Sequence, residues 1–93
     1  HFLYTGLVVS SPQQGQKERI LDVCEMRMKN FSQKAAHRYV KLDQPLDCAG
    51  SYKFESRAVV LFESVSLQDP TAIQGLPLMR LVRLLERFGI ELL

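Results

Sequence analysis

Gln44-Pro45-Leu46-Asp47-Cys48-Ala49-Gly50-Ser51-Tyr52-Lys53-Phe54-Glu55-Ser56 separates a predicted helix from a predicted strand. Pro45 disfavours helical geometry in the residue before it, so a helix over about 33–42 has to end there. Ser32 is the matching N-cap, and Ala36, Tyr39, Val40 and Ala35 supply the apolar stripe. The segment that follows is bounded by Pro and Gly. Residues 52–55 crowd a carboxylate, an ammonium and two aromatic rings into adjacent positions. Such loops, held by rigid elements, are where binding residues concentrate. Beyond the loop, residues 57–65, with Ala58-Val59-Val60-Leu61-Phe62, form a near-continuous apolar run that predicts a central strand.

Working outward, Phe2 to Val9 is rich in aromatic and β-branched residues and predicts a strand. Ser10-Ser11-Pro12-Gln13-Gln14-Gly15 is a turn cluster. From Lys17 to Met28 the sequence alternates. Ile20, Cys24, Met26 and Met28 share one parity, broken by Asp22, while Arg19, Glu25 and Arg27 share the other. That predicts a long strand with one wetter face, antiparallel to the first. Gln68-Asp69-Pro70-Thr71 is a second turn, leading through Gly75-Leu76-Pro77-Leu78 to a last helix. Pro77 suits its first turn. Leu78, Leu81, Val82, Leu85 and Phe88 fall on one face, and Gly89 is a C-terminal stop. The predicted class is α/β, a mixed sheet with flanking helices in β-β-α-β-α order.

The chain has 93 residues, 46% of them hydrophobic, which suits one domain or part of one. Twelve basic against ten acidic residues give a net charge of +2. That balance does not favour a nucleic-acid partner. No apolar run nears the ~18 residues of a membrane span, and no signal-peptide pattern is visible. Cys24 and Cys48 are expected to be reduced thiols in a cytoplasmic protein. The chain opens at His1 without Met and runs straight into a strand pattern, as expected of a piece of a longer polypeptide.

Several side chains carry alternative readings. Glu55, beside Phe54 and near Tyr52, is either a solvated charge at a strand start or an acceptor for a base edge. Guanine offers N1–H and N2–H to one carboxylate, and such a charge-assisted pair is strong and directional. Lys53 is either an exposed lysine without a partner or a phosphate contact. Asp47 either anchors the turn at Gly50 or takes part in a site. Cys48 is favoured as a packed thiol, because only Lys53 nearby would lower its pKa. His37 has no second ligand at metal spacing. Lys34, Arg38 and Lys41 read as a solvated helix face, as do Arg80, Arg83 and Arg87 opposite the apolar stripe.

Gln44-Pro45-Leu46-Asp47-Cys48-Ala49-Gly50-Ser51-Tyr52, then a strand, then Gly75-Leu76-Pro77-Leu78 resembles the Maf family of nucleoside triphosphate pyrophosphatases. Tyr4-Thr5-Gly6-Leu7 looks like that family's Thr-Gly strand. Within the family, Cys48-Ala49-Gly50-Ser51-Tyr52-Lys53-Phe54-Glu55 and Gln68-Asp69-Pro70 look most like the 7-methyl-GTP subgroup. A sister subgroup acting on dTTP and UTP has Lys in place of Cys48 and Gly-Ile-Gln in place of Lys53-Phe54-Glu55.

The resemblance implies that residues 1–93 are the C-terminal part of a single domain of the Maf/ITPase-like fold. It implies hydrolysis between the α and β phosphates, with a divalent cation, Mg2+ or Mn2+, held mainly by residues outside this chain. Glu55 falls on the position that tunes substrate choice. Tyr52, Lys53 and Phe54 are substrate-binding candidates, and Asp47, Gly50, Gly75 and Pro77 are structural members of the motifs. The family's Ser-x-Ser-Pro-x-Arg-Arg segment, acidic general base and Gly-Lys-Pro lysine have no counterpart here. No catalytic residue or metal ligand is therefore expected in this chain, and the isolated chain is expected to be inactive.

Expected partners are a nucleoside triphosphate and the N-terminal half of the same protein, with a homodimer left open and no nucleic acid or membrane. The family motif continues with Gly after the specificity position, where this chain has Ser56. A Cβ resists positive φ, which predicts a different local turn. The alternative is a non-catalytic fragment or degenerate relative serving as a structural or dimerisation module.

Overall fold

Alternating residues over Phe2–Ser11 and Gln16–Met28 give two long strands, β1 and β2, in a computed structural model that describes residues His1–Leu93. They pair antiparallel from Phe2 opposite Glu25 to Ser11 opposite Gln16. Gly15, at φ 62°, completes the turn between them. Helix α1 follows at Gln33–Asp43, then strand β3 at Phe62–Ser66 and helix α2 at Leu78–Arg87. The sheet is antiparallel with order β1-β2-β3. The expected α/β class and β-β-α-β-α order hold. No helix is long and apolar enough to cross a membrane.

Two compact units make up the chain. The first comprises His1–Glu25 and Ser66–Leu93. Its hairpin alternates strictly, with Asp22 and Cys24 on the buried side of β2. Asp22 breaks the apolar parity because it has a partner. Arg80 Nη1 donates to its Oδ1 at 3.2 Å and to the Leu21 carbonyl at 2.9 Å. Arg80 therefore does not belong to a solvated face, as its spacing with Arg83 and Arg87 suggests. A buried carboxylate needs its charge compensated, and that requirement turns Arg80 inward.

The core face of α2 is likewise rotated from the expected stripe. Leu84 and Phe88 are buried, while Leu78 and Val82 are exposed. The helix packs on β1 through this shifted face. The outer face of the hairpin is apolar too, with Phe2, Tyr4, Val8 and Leu21 exposed.

Pro77 has no side chain able to cap α2, so the preceding loop does it. Asp69 Oδ2 accepts the Arg80 N–H at 3.0 Å, and Thr71 Oγ1 accepts the Leu78 N–H at 2.7 Å. Thr71 in turn donates to Asp69 Oδ1 at 2.6 Å. A carboxylate here satisfies orphan donors and complements the helix dipole. At the other end, Gly89 at φ 84° and the Ile90 N–H to the Leu85 carbonyl close the helix.

The second unit is Met26–Val65. Ser32 Oγ accepts the Ala35 N–H and starts α1, as expected. The buried face of α1 is Tyr39 and Asp43, while Val40 and Ala35 are exposed. Gln44 ends the helix in the left-handed region at φ 46°, its side-chain amide donating to the carbonyls of Val40 and Lys41.

The expected central strand over 57–65 is corrected. Arg57–Leu61 is a 3-10 helix, and only Phe62–Ser66 is extended, in a strand neighbouring β2 at the end of the sheet order. The Arg57 N–H is taken by the Asp43 carboxylate and the Ala58 N–H by the Lys53 carbonyl. A backbone held that way curls, and Val59 and Val60 end up exposed despite their strand propensity.

Leu84 is 2% exposed and Leu78 is 48% exposed. Leu84→Ala should therefore lower unfolding free energy by about 2–5 kcal/mol, and Leu78→Ala by ~1 kcal/mol or less. Urea denaturation of the two variants checks the order; equal losses would contradict the packing described.

Candidate functional site

Residues 46–56 leave α1 through buried Pro45 and make two successive turns. In the first, the Ser51 N–H bonds the Cys48 carbonyl at 2.9 Å. Gly50 sits there at φ 73°, and a Cβ on it would stand 2.7 Å from Tyr52 Cε1. Both facts require glycine. Ser51 also adopts positive φ, at 57°. Asp47 Oδ1 accepts from the Cys48 thiol at 3.6 Å.

In the second turn the Ser56 N–H bonds the Lys53 carbonyl at 3.0 Å, leaving Phe54 and Glu55 as the central pair. Ser56 has φ −113°, a value open to any residue. The turn therefore accommodates its Cβ without left-handed strain. The serine is put to use, because its hydroxyl donates to Asp43 Oδ1 at 3.1 Å.

The aromatic groups divide by role. Tyr52 is buried, with its ring edge-on to Phe62 at 4.9 Å between centroids. Of packing and stacking, it takes packing. Phe54 is half-buried and tilted against the same Phe62 at 5.9 Å. Glu55 is exposed and Lys53 half-buried. Both act electrostatically on Cys48. Burial raises that thiol's pKa first, Asp47 and Glu55 add to the rise, and Lys53 opposes it. Asp47, Cys48, Lys53 and Glu55 are thus gathered in one electrostatic neighbourhood, and Cys48 is a poor nucleophile there. Gly75, at φ 131°, and buried Pro77 lie on the approach to α2.

Asp43 is the residue the sequence reading passes over. Its side chain is 1% exposed, beneath an Arg57 side chain that is 58% exposed. It accepts from Arg57 Nη1 at 2.7 Å, the Arg57 N–H at 3.0 Å and Ser56 Oγ. Burial alone would raise its pKa. The hydrogen bonds from Arg57, followed by those from Ser56 and Tyr39, outweigh burial and hold the carboxyl below its ordinary range. Tyr39 Oη also accepts the Lys53 N–H at 2.8 Å. The available signal is the spacing: Tyr39 and Asp43 stand four apart and share one helix face.

A cavity of about 710 Å³ lies between α1 and the 57–61 turn, lined by Phe31, Tyr39, Leu42, Val59, Val60 and Arg38 among others. Glu55 lies outside it. No group of three or more His, Cys, Asp or Glu side chains converges anywhere in the chain. Cys24 and Cys48 are free thiols.

A family model described as Maf-like protein matches residues 1–88. Over 97% of its length the chain is 39% identical to a 7-methyl-GTP pyrophosphatase of Vibrio cholerae and 44% identical to one of Bdellovibrio bacteriovorus, covering 47% of each. It is 38% identical, over 95% of its length, to a 7-methyl-GTP pyrophosphatase of Pseudoalteromonas atlantica, covering 45% of that protein. The chain spans about half the length of the curated relatives it matches.

Asp43 is charged in the fold with its pKa depressed, so its contribution is present above the ordinary carboxylate pKa of about 4. It is lost as pH falls through the lower folded value, and Asp69, depressed in the same direction, behaves alike. The denaturation midpoint should therefore drop as pH falls below about 4. Asp43→Asn should be less stable at pH 6 and should lose less on acidification; an unchanged acid profile would refute the assignment.

Proposed function

Because the chain belongs to the family described as Maf-like protein, we propose that the intact protein is a nucleoside triphosphate pyrophosphatase acting on 7-methyl-GTP. This chain then supplies the loop that reads the base. Water cleaves the bond between the α and β phosphates, giving 7-methyl-GMP and pyrophosphate. The reading is supported by the shared name of relatives that match the chain almost end to end. The observation that carries it to particular atoms is the 53–56 turn, which presents the Glu55 carboxylate without an ion pair to consume it.

Methylation at N7 puts a positive charge on guanine and makes N1–H a better donor. A carboxylate is then a better acceptor than a neutral amide, by charge and by number of lone pairs. Phe54 flanks the acid with an apolar ring, and Lys53 supplies a cation suited to a phosphate or to the field of the nucleotide. Glu55 stands in solvent in this chain, so the opposite wall of a base pocket must come from the rest of the protein. The attacking water, its general base and the ligands of a Mg2+ or Mn2+ ion belong in the same place, since no side chains converge here to hold one. The cation would neutralise the triphosphate.

A second reading is a structural or dimerisation module without catalysis, favoured by the apolar outer face of the hairpin. Pyrophosphate release by the intact protein separates the two.

Glu55→Gln in the intact protein should lower the kcat/KM ratio of 7-methyl-GTP to GTP by about 5- to 150-fold, the equivalent of about 1–3 kcal/mol. An unchanged ratio removes Glu55 as the selector. The 93-residue chain alone should release no pyrophosphate above a Glu55→Ala control, and measurable turnover would overturn that division of labour.

A further inference from the structure

We infer that Asp43 is a positioning residue that aims Glu55, acting with Tyr39 and Ser56 as a clamp on the 53–57 turn. The inference rests on the reading of Glu55 as the base-selecting group. Both ends of the turn are tied to one face of α1. At the entry, the Lys53 N–H donates to Tyr39 Oη at 2.8 Å. At the exit, Ser56 Oγ and the Arg57 N–H donate to the two oxygens of Asp43 at 3.1 and 3.0 Å. Arg57 then folds back, its Nη1 at 2.7 Å from the same carboxylate. The turn is closed across its neck by the Ser56 N–H to the Lys53 carbonyl.

Only Phe54 and Glu55 lie between these ties, and Phe54 is held against Phe62. The Cα–Cβ direction of Glu55 is therefore set by the clamp, leaving the side-chain rotamers as its freedom. Selectivity built on a two-point hydrogen bond needs that direction held, because small misplacements cost such contacts heavily. Ser56 gains its meaning here: its hydroxyl is a strut that a glycine at the same position would not provide.

A merely structural Asp43 would lower activity toward every nucleotide alike. A positioning Asp43 changes the choice between them. The test measures kcat/KM for 7-methyl-GTP and for GTP in the intact protein, with 7-methyl-GMP binding by calorimetry as a readout independent of turnover. Ser56→Ala removes one charge-assisted hydrogen bond, leaves Asp43 its Arg57 donors, and should lower the 7-methyl-GTP:GTP ratio by about two- to tenfold. Asp43→Asn should lower it further. In a Glu55→Gln background, Ser56→Ala should produce no further fall, since the clamp then aims nothing selective.

Equal losses for both nucleotides in Ser56→Ala, or a full additional loss in the Glu55→Gln background, would overturn the clamp. If Asp43→Asn does not fold, the Ser56→Ala arm decides alone. A ratio that responds to Glu55→Gln but not to Ser56→Ala or Asp43→Asn sinks the clamp and leaves the base reading standing. A ratio indifferent to Glu55→Gln sinks both.

Discussion

A carboxylate removed from water has to be surrounded by donors or give up its charge. Three aspartates of this chain meet that condition, and much of its local geometry follows. Asp22 draws Arg80 inward. Asp69 gathers the first N–H groups of α2 through its own oxygens and Thr71. Asp43 gathers the exit of the 53–57 turn. None of these is a lone ion pair on a surface, where about 1 kcal/mol or less would be at stake. Asp43 and Asp69 tie backbone donors as well as side chains, so each specifies a path for the chain and not just a contact.

That constraint links fold to proposed chemistry. The apolar run 58–62 has the composition of a strand, yet its start is captured by Asp43 and Lys53 and it coils instead. The coil closes one side of the turn that bears Glu55. Tyr52, buried against Phe62, closes the other and leaves no ring of its own for a ligand. What remains outward is a carboxylate, a half-buried phenylalanine and a lysine, the groups of the proposed base-reading turn. The curated relatives are about twice this chain's length, and the proposed pocket would draw its remaining walls from sequence of that kind.

β1, β2, both helices and the turns between them were legible because each has a local signature: aromatic and β-branched residues in β1, alternation in β2, Ser32 as a cap, Pro45 as a stop and Gly89 as an exit. The loop 46–56 was legible from its glycine and its cluster of chemistry, and more sharply from the family motif. Three things were not. Strand propensity at Val59 and Val60 was overridden by two hydrogen bonds at the start of the run, one to Asp43 fourteen positions back and one to the Lys53 carbonyl five back. The face of α2 was rotated by the pairing of Arg80 with Asp22, which periodicity alone cannot register. Asp43 fell just past the expected end of its helix and carried no local signal, since its partners lie 13 and 14 positions away. In each case a long-range polar contact outvoted a local apolar pattern.

Gly50 and Ser56 stand at opposite ends of the same loop and differ in their freedom to change. Position 50 is locked twice, by backbone handedness and by the face of Tyr52, so any drift there must first rebuild an aromatic core. Position 56 has a negative φ and an exposed side chain that reaches the Asp43 carboxylate. A lineage can therefore trade residues at 56 without disturbing the scaffold. Substrate preference would then evolve at the hinge of the loop while its root stays frozen.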